Sequence, residues 1–279
     1  METSSPQSDL SLDSATVCTI LVNFIRDETR NAGFSRGVVG LSGGVDSAVT
    51  AYLAVRALGR ENVRAVMMPY KASSPDSLRD AKLVIDALAI ASDTVDITPM
   101  VDAYLASAGT IDNVRAGNVM ARERMIVLYD RSARDGALVL GTSNKTESLL
   151  GYGTLFGDMA SAINPLGDLY KTQIWQLARA LEVPERIIEK QPSADLWTGQ
   201  TDEGELGFSY TDVDRLLYAM VDDRRTEGEL IAMGFAPEFV RQVQRLLQRS
   251  QFKRRPPLVA KISHRTVNVD FRYARDWGI

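Results

Sequence analysis

The chain has 279 residues, 45% hydrophobic and 24% charged, which is enough to bury a sizeable core and ordinary for a soluble globular protein. Its 32 basic and 36 acidic residues leave a formal charge of −4, so nucleic-acid binding gains no electrostatic support, and no apolar run nears the roughly 20 residues of a membrane span. A single cysteine, Cys18, excludes an intramolecular disulfide and a cysteine-based zinc cage, and with an N-terminus lacking a secretion signal it points to the cytoplasm.

Residues 1–13 are polar and read as a disordered leader. From Ser14 to Asn31, Val17, Ile20, Leu21, Phe24 and Ile25 recur at helical spacing. Val38 to Leu41 is a short apolar run bounded by glycine, a buried strand. Ser47–Leu58 then reads as helix, Val63–Met68 as strand, Ser74–Ile90 as helix and Thr94–Ile97 as a third strand. Helices are expected over Pro99–Ser107 and Ile111–Arg134, and a fourth strand over Ala137–Leu140. Such alternation implies an α/β fold, a doubly wound parallel sheet with ligands at the carboxyl ends of its strands. One domain is expected over 14–279: an α/β core over 33–170, then a mostly helical C-terminal region over 170–279, interrupted at Gln191–Leu206 and near Pro256-Pro257.

The sharpest local feature, Leu41-Ser42-Gly43-Gly44-Val45-Asp46-Ser47, joins the first strand to its helix. Paired glycines admit positive φ and bring N–H groups toward an anion, while Ser42, Ser47 and the helix N-terminus add donors and partial positive charge. This is a phosphate cradle; the plain alternative is a tight turn whose serine caps the helix. The loop has neither the lysine of G-x-x-x-x-G-K-[ST], which grips β- and γ-phosphates, nor the G-x-G-x-x-G of dinucleotide redox folds. Asp46 would repel phosphate unless a magnesium ion bridged the two; otherwise it is a first-turn acid facing the helix dipole.

SGGVDS resembles the pyrophosphate loop of the N-type ATP pyrophosphatases, which split ATP between its α- and β-phosphates. The resemblance implies an adenine nucleotide alpha hydrolase-like fold and ATP contacts along Gly40, Leu41, Ser42, Gly43, Gly44, Val45, Asp46 and Ser47. Four further segments resemble the NAD synthetases. Gly117–Met125 matches a G-N-x-x-A-R-x-R-M helix and implies that Arg122 contacts deamido-NAD, where a guanidinium fork suits a carboxylate or phosphate. Leu140–Glu147 implies Thr142 at ATP and Glu147 as a magnesium ligand beside Asp46; read without the family, Glu147 is a helix-capping acid. Gly157-Asp158 and Asn164–Gln173 imply an ATP-binding Lys171 and an Asp158 at the ammonia and nicotinate end, giving Asp46, Lys171 and Asp158 as the catalytic set. On its own, Lys171 would read as an exposed residue in a helix's first turn. Gln191–Gly207 implies a closing loop with Ser193 at ATP, and Tyr70–Asp76 a partner to it.

The sequence departs from one bacterial version of the pattern at Leu155, Ala162 and Phe252, where that version has lysine, aspartate and histidine; the substrate-binding lysine is retained as Lys253. The family's reaction takes deamido-NAD, ATP and ammonia, with magnesium as cofactor and ATP as co-substrate, in a homodimer without nucleic-acid or membrane partners. Other N-type pyrophosphatases (a GMP-synthetase-like amidotransferase, a tRNA thiolase) and a non-catalytic adenine-nucleotide sensor stand as alternatives. Cys18 and His264 lie outside every motif and read as a core thiol and a structural histidine.

Overall fold

Val38 and Val39 are neighbours, so their side chains leave opposite faces of a strand, yet both are fully buried. A strand covered on both sides belongs inside a parallel sheet, and Arg36–Gly40 (β1) occupies that position. The computed structural model describes residues 10–197, 199–255 and 257–267. Before β1 comes α1 (Ser14–Asn31), whose first turn is capped by the Asp13 carboxylate accepting from the Thr16 N–H. After it follow α2 (Val45–Leu58), β2 (Val63–Met67), α3 (Pro75–Leu88), β3 (Ala91–Thr94), α4 (Thr98–Ala108), α5 (Asn113–Asp135) and β4 (Ala137–Leu140).

The strands pair in the order β3-β2-β1-β4, all parallel, with Gly37 opposite both Val63 and Leu138. Ile163 adds a parallel bridge to Leu140 beyond β4. The chain steps outward from β1 to β3 and then returns to lay β4 on the free side of β1. Loops leaving β1 and β4 therefore diverge from adjacent strand ends, the topological switch point at which open α/β sheets bind ligands. Val39 packs with Ile25 of α1, Val49 of α2 and Val84 of α3, whereas Val38 packs with Val101 of α4 and Met120 of α5. Helices thus cover both faces, as the doubly wound expectation requires. Each such side chain contributes roughly 1.5–3 kcal/mol by leaving water.

The C-terminal helices are α6 (Lys145–Leu150), α7 (Lys171–Ala180), α8 (Glu185–Ile188), α9 (Asp202–Leu206), α10 (Tyr210–Leu217), α11 (Glu227–Ala232) and α12 (Pro237–Ser250). Tyr210, Leu216, Leu230 and Val240 build a further core there, and Trp175 of α7 packs against both this core and that of the sheet. The N-termini of α6 and α7 are thereby fixed at the crevice.

Three expectations are corrected. The third strand runs over Ala91–Thr94 rather than Thr94–Ile97, because β3 is an edge strand with largely exposed side chains, and burial could not mark it. Its ladder nevertheless runs on, with the Val95 and Ile97 N–H groups donating to the Met67 and Pro69 carbonyls. The loop expected over Gln191–Leu206 contains α9, started by the Thr201 hydroxyl accepting from the Gly204 N–H. Of the expected leader, residues 1–9 lie outside the described residues, while Leu10 and Leu12 bond through their backbones to Gln176. Among the described residues no helix is long and apolar enough to cross a membrane.

Candidate active site

The crevice opens into a cleft of about 770 Å³, within the range of small-molecule sites. Its floor begins at the loop after β1. Gly43 has φ +81°, and a Cβ there would lie 2.2 Å from the Ser77 carbonyl oxygen, so both the turn and its seating on α3 require glycine. The Gly44 N–H donates to Ser42 Oγ, and the Ser47 hydroxyl donates to the Gly44 carbonyl at 2.9 Å, preforming the loop. Since α2 starts at Val45, Asp46 and Ser47 stand in its first turn.

The loop after β4 supplies the opposite wall. Asn144 caps α6 by accepting from the Glu147 N–H at 2.9 Å, and Glu147 Oε2 accepts from the Asn144 N–H in return. Glu147 is therefore both the capping acid and a cleft-lining carboxylate. Fully buried Asn144 also donates from Nδ2 to Asp46 Oδ1 at 2.9 Å, tying the two loops together. The N-x-x-E pattern announces the cap, but nothing local announces this tie.

Lys171, the first residue of α7, is 3% exposed, not the surface residue its isolated context suggests. Its Nζ donates to Asp46 Oδ2 at 2.6 Å and to Glu147 Oε1 at 3.4 Å. Its N–H donates to Thr146 Oγ1, whose hydroxyl donates to buried Asp214; Asp214 in turn accepts from the Thr172 N–H. The start of α7 is thus anchored by groups that never reach the cleft surface. Buried Asp202 of α9 completes the cluster, accepting from the Tyr152 and Tyr210 hydroxyls at 3.0 and 3.1 Å.

Charge here is unbalanced: one ammonium among Asp46, Glu147 and Asp202. Burial works against the Lys171 charge, but Asp46 and Glu147 outweigh it and hold the ammonium above its ordinary pKa. Burial pushes the Glu147 carboxyl up to about 8, against the pull of Lys171 and with the repulsion of Asp46 and Asp202. The surplus negative charge lies where a polyphosphate would approach, so the donor set fits a hard divalent cation. Magnesium takes one or two carboxylates and completes its shell with water and phosphate oxygens. Among the described residues no three His, Cys, Asp or Glu side chains are grouped so as to hold a metal ion by themselves.

At the far end, Lys253 donates from Nζ to the Gly151 and Gly153 carbonyls at 2.8 and 2.7 Å. Beside it Asp158 accepts from the Thr154 N–H at 2.7 Å; desolvation at the cleft floor raises its carboxyl pKa, opposed by that hydrogen bond and by the positive charges of Lys253 and Arg124. Thr142 and Ser193 also line the cleft, the Ser193 hydroxyl donating to the Gln200 carbonyl. The two expected closing segments touch, because the Asp195 carboxylate accepts from the Ser74 N–H at 3.0 Å.

Gly40, Leu41, Ser42, Gly44, Val45 and Ser47 line the cleft with Asp46, Glu147, Asp158, Lys171 and Lys253; Gly43 turns the chain behind them. Arg122 does not line it. Exposed on α5, it donates from Nη2 to the Leu155 carbonyl at 3.4 Å, and Arg124 lines the cleft instead, its Nε on the Met68 carbonyl. Ala162 donates its N–H to the Val139 carbonyl, and Phe252 is exposed. Cys18 lies outside the cleft at the edge of the sheet core, half-buried rather than enclosed, with Arg56 Nη1 3.4 Å from its Sγ. His264 is exposed rather than packed. Sequence alone assigned no role to Asn144, Asp202, Arg124 or Lys190; the first three lie inside Leu140–Glu147, Gln191–Gly207 and Gly117–Met125, whereas Lys190 lies outside every motif.

A sequence model of the NAD synthase family matches residues 17–257. A protein of Chlorobaculum parvum described as an NH(3)-dependent NAD(+) synthetase is 57% identical over 269 residues, covering 96% of this chain and 97% of its own length. Among solved structures, the NH3-dependent NAD synthetase of Campylobacter jejuni is similar at 35% identity and TM-score 0.78, covering 90% of this chain and 100% of its own. The NMN synthetase of Francisella tularensis is similar at 35% identity and TM-score 0.80, covering 90% of this chain and 99% of its own.

Proposed function

The chain belongs to the NAD synthase family, and on that premise we propose that it is a carbon–nitrogen ligase which amidates deamido-NAD with ammonia at the expense of ATP. The observation that carries this reading is the union, in one cleft, of a lysine-free glycine loop with the Asp46–Lys171–Glu147 cluster and the Asp158–Lys253 floor. The nicotinate carboxylate attacks the α-phosphorus of ATP; an O–P bond forms, the Pα–O–Pβ bridge breaks, and pyrophosphate departs into the loop after β1. Ammonia then adds to the carbonyl carbon of the acyl-adenylate, the C–O bond breaks, AMP leaves and the nitrogen loses a proton.

Side chains here act by position and charge, since no covalent enzyme intermediate is needed. Lys171, oriented by two carboxylates, offers a fixed positive charge to the phosphates. Asp46 and Glu147 would hold magnesium, which supplies neutralising charge to the phosphate oxygens when bound. Asp158 and Lys253 serve the nicotinate end, and Thr142 and Ser193 the nucleotide. The segment around Ser193, latched to Ser74 through Asp195, keeps water from the acyl-adenylate. A dinucleotide product is favoured over the NMN of the Francisella tularensis enzyme because the Chlorobaculum parvum NAD(+) synthetase is 57% identical to this chain and the Francisella protein 35%.

A homodimer is part of this reading. Tyr104 of α4, Ile126 and Tyr129 of α5, and Phe156 are exposed large apolar side chains, and Ile126 and Tyr129 are three residues apart on one stripe of α5. Arg122, four residues before Ile126, shares that stripe of α5, so a two-fold pairing would bring it beside the dinucleotide. Light scattering with Ile126→Glu tests this; a monomeric wild-type chain would remove it. For the chemistry, deamido-NAD with ¹⁸O in its carboxylate should yield AMP carrying one ¹⁸O. Unlabelled AMP from productive turnover would rule out the acyl-adenylate.

A further inference from the structure

Lys190 follows α8 by two residues, outside every motif used above, and its ammonium borders the same cleft. It donates to Asp80 Oδ2 at 2.9 Å and Ser77 Oγ at 3.2 Å, and reaches the Gly43 carbonyl only at 3.4 Å. Asp80 is buried, and its other oxygen accepts from Arg186 Nε at 2.7 Å. Arg186 in turn shares Asp76 with Arg79. Three cations therefore meet two carboxylates, and of the three only Lys190 lines the cleft. Across the glycine loop the imbalance is reversed, one ammonium among three carboxylates. The cradle thus has a negative side, suited to a metal ion, and a positive side formed by Lys190.

We propose that Lys190 binds the terminal phosphates of ATP and the departing pyrophosphate. An ammonium has three donors; Asp80 and Ser77 hold two, and the third exchanges its long contact with the Gly43 carbonyl for a phosphate oxygen. Lys190 so supplies, from beside α3, the charge that a G-x-x-x-x-G-K-[ST] loop carries within itself. Asp80 is a positioning residue that aims the ammonium, and Arg186 holds Asp80. The contact between Gly43 and Ser77 keeps this frame against the cradle. The inference rests on the reading that the loop receives pyrophosphate.

Titration calorimetry of inorganic pyrophosphate, with magnesium present, into the full chain tests both ideas separately. The wild type should bind it, Lys190→Met should weaken binding about 10–100-fold, the span expected for one charge-assisted hydrogen bond, and Lys190→Arg should restore part of it. Deamido-NAD affinity should not change in either variant. No binding to the wild type would defeat the pyrophosphate-loop reading; equal binding by wild type and a folded Lys190→Met would defeat the role of Lys190 alone. Should Lys190→Met not fold, amine acetylation of the wild type read by mass spectrometry decides instead. Magnesium pyrophosphate should slow labelling of Lys190 but not of Lys82, and unchanged labelling of Lys190 would overturn the proposal.

Discussion

Replacing Asp46 with asparagine keeps the shape of the side chain and removes its charge. In the native protein Oδ1 accepts from Asn144 Nδ2 at 2.9 Å and Oδ2 from Lys171 Nζ at 2.6 Å. An amide has one acceptor. With its oxygen toward Lys171, its NH₂ faces the NH₂ of Asn144; reversed, it faces the ammonium. Asn144 cannot flip to compensate, because its own Oδ1 holds the Glu147 N–H at the start of α6. One charge-assisted hydrogen bond is therefore lost in either orientation, costing roughly 1–3 kcal/mol, and Glu147 at 3.4 Å remains to pair Lys171. Melting should drop by about 2–4 °C for each kcal/mol, leaving a folded enzyme. Turnover should fall much further, about 10²–10³-fold, as when one electrostatic contact to a developing charge is removed. AMP release by chromatography, alongside a thermal melt, measures both. A folded Asp46→Asn with near-normal turnover at ordinary magnesium would refute the placement of Asp46 at the metal and phosphates.

Gly43→Ala imposes a side chain at φ +81° and a collision with the Ser77 carbonyl; stability should fall by at least about 1–3 kcal/mol, with KM for ATP rising more than KM for deamido-NAD, and equal rises would show that the loop does not hold the nucleotide. Glu147 has a folded pKa pushed up to about 8, above its ordinary 4.5, so between those values the folded chain holds a proton that the unfolded chain has lost, and its contribution to stability declines as pH rises through the window. Magnesium needs the ionised carboxylate, so the half-saturating magnesium concentration should fall by up to about tenfold per pH unit below pH 8 and then level off; a flat profile would exclude a ligating Glu147 whose carboxyl is held protonated by its surroundings. Cys18→Ala should keep most ammonia-driven activity because Cys18 lies outside the cleft. Equal rates with ammonia-free glutamine, abolished by that substitution, would instead make Cys18 a nucleophile.

What was legible in the sequence is what local chemistry specifies. Val38-Val39 beside SGGVDS defines a buried strand, a turn that needs glycine and a helix start, and all three are decided within a dozen residues. Ala137–Leu140 is legible for the same reason, every side chain being buried. Ala91–Thr94 is not, because an edge strand is defined by the carbonyls of its neighbour rather than by its own side chains. Lys171 shows the larger limit. Its burial depends on Asp46, 125 residues away, and no periodicity around Lys171 encodes that partner. Asn144 is visible as a cap through N-x-x-E, yet its bond to Asp46 spans 98 residues. Lys190 sits in no motif and becomes notable only when Asp80 and Gly43 are brought to it.

The most direct test of the central claim is an inventory of products from deamido-NAD, magnesium ATP and ammonium incubated with the purified chain. NAD, AMP and pyrophosphate should appear in equal amounts, each dependent on ammonium for sustained turnover. ADP and orthophosphate as the primary nucleotide products, or consumption of ATP without NAD, would contradict the account.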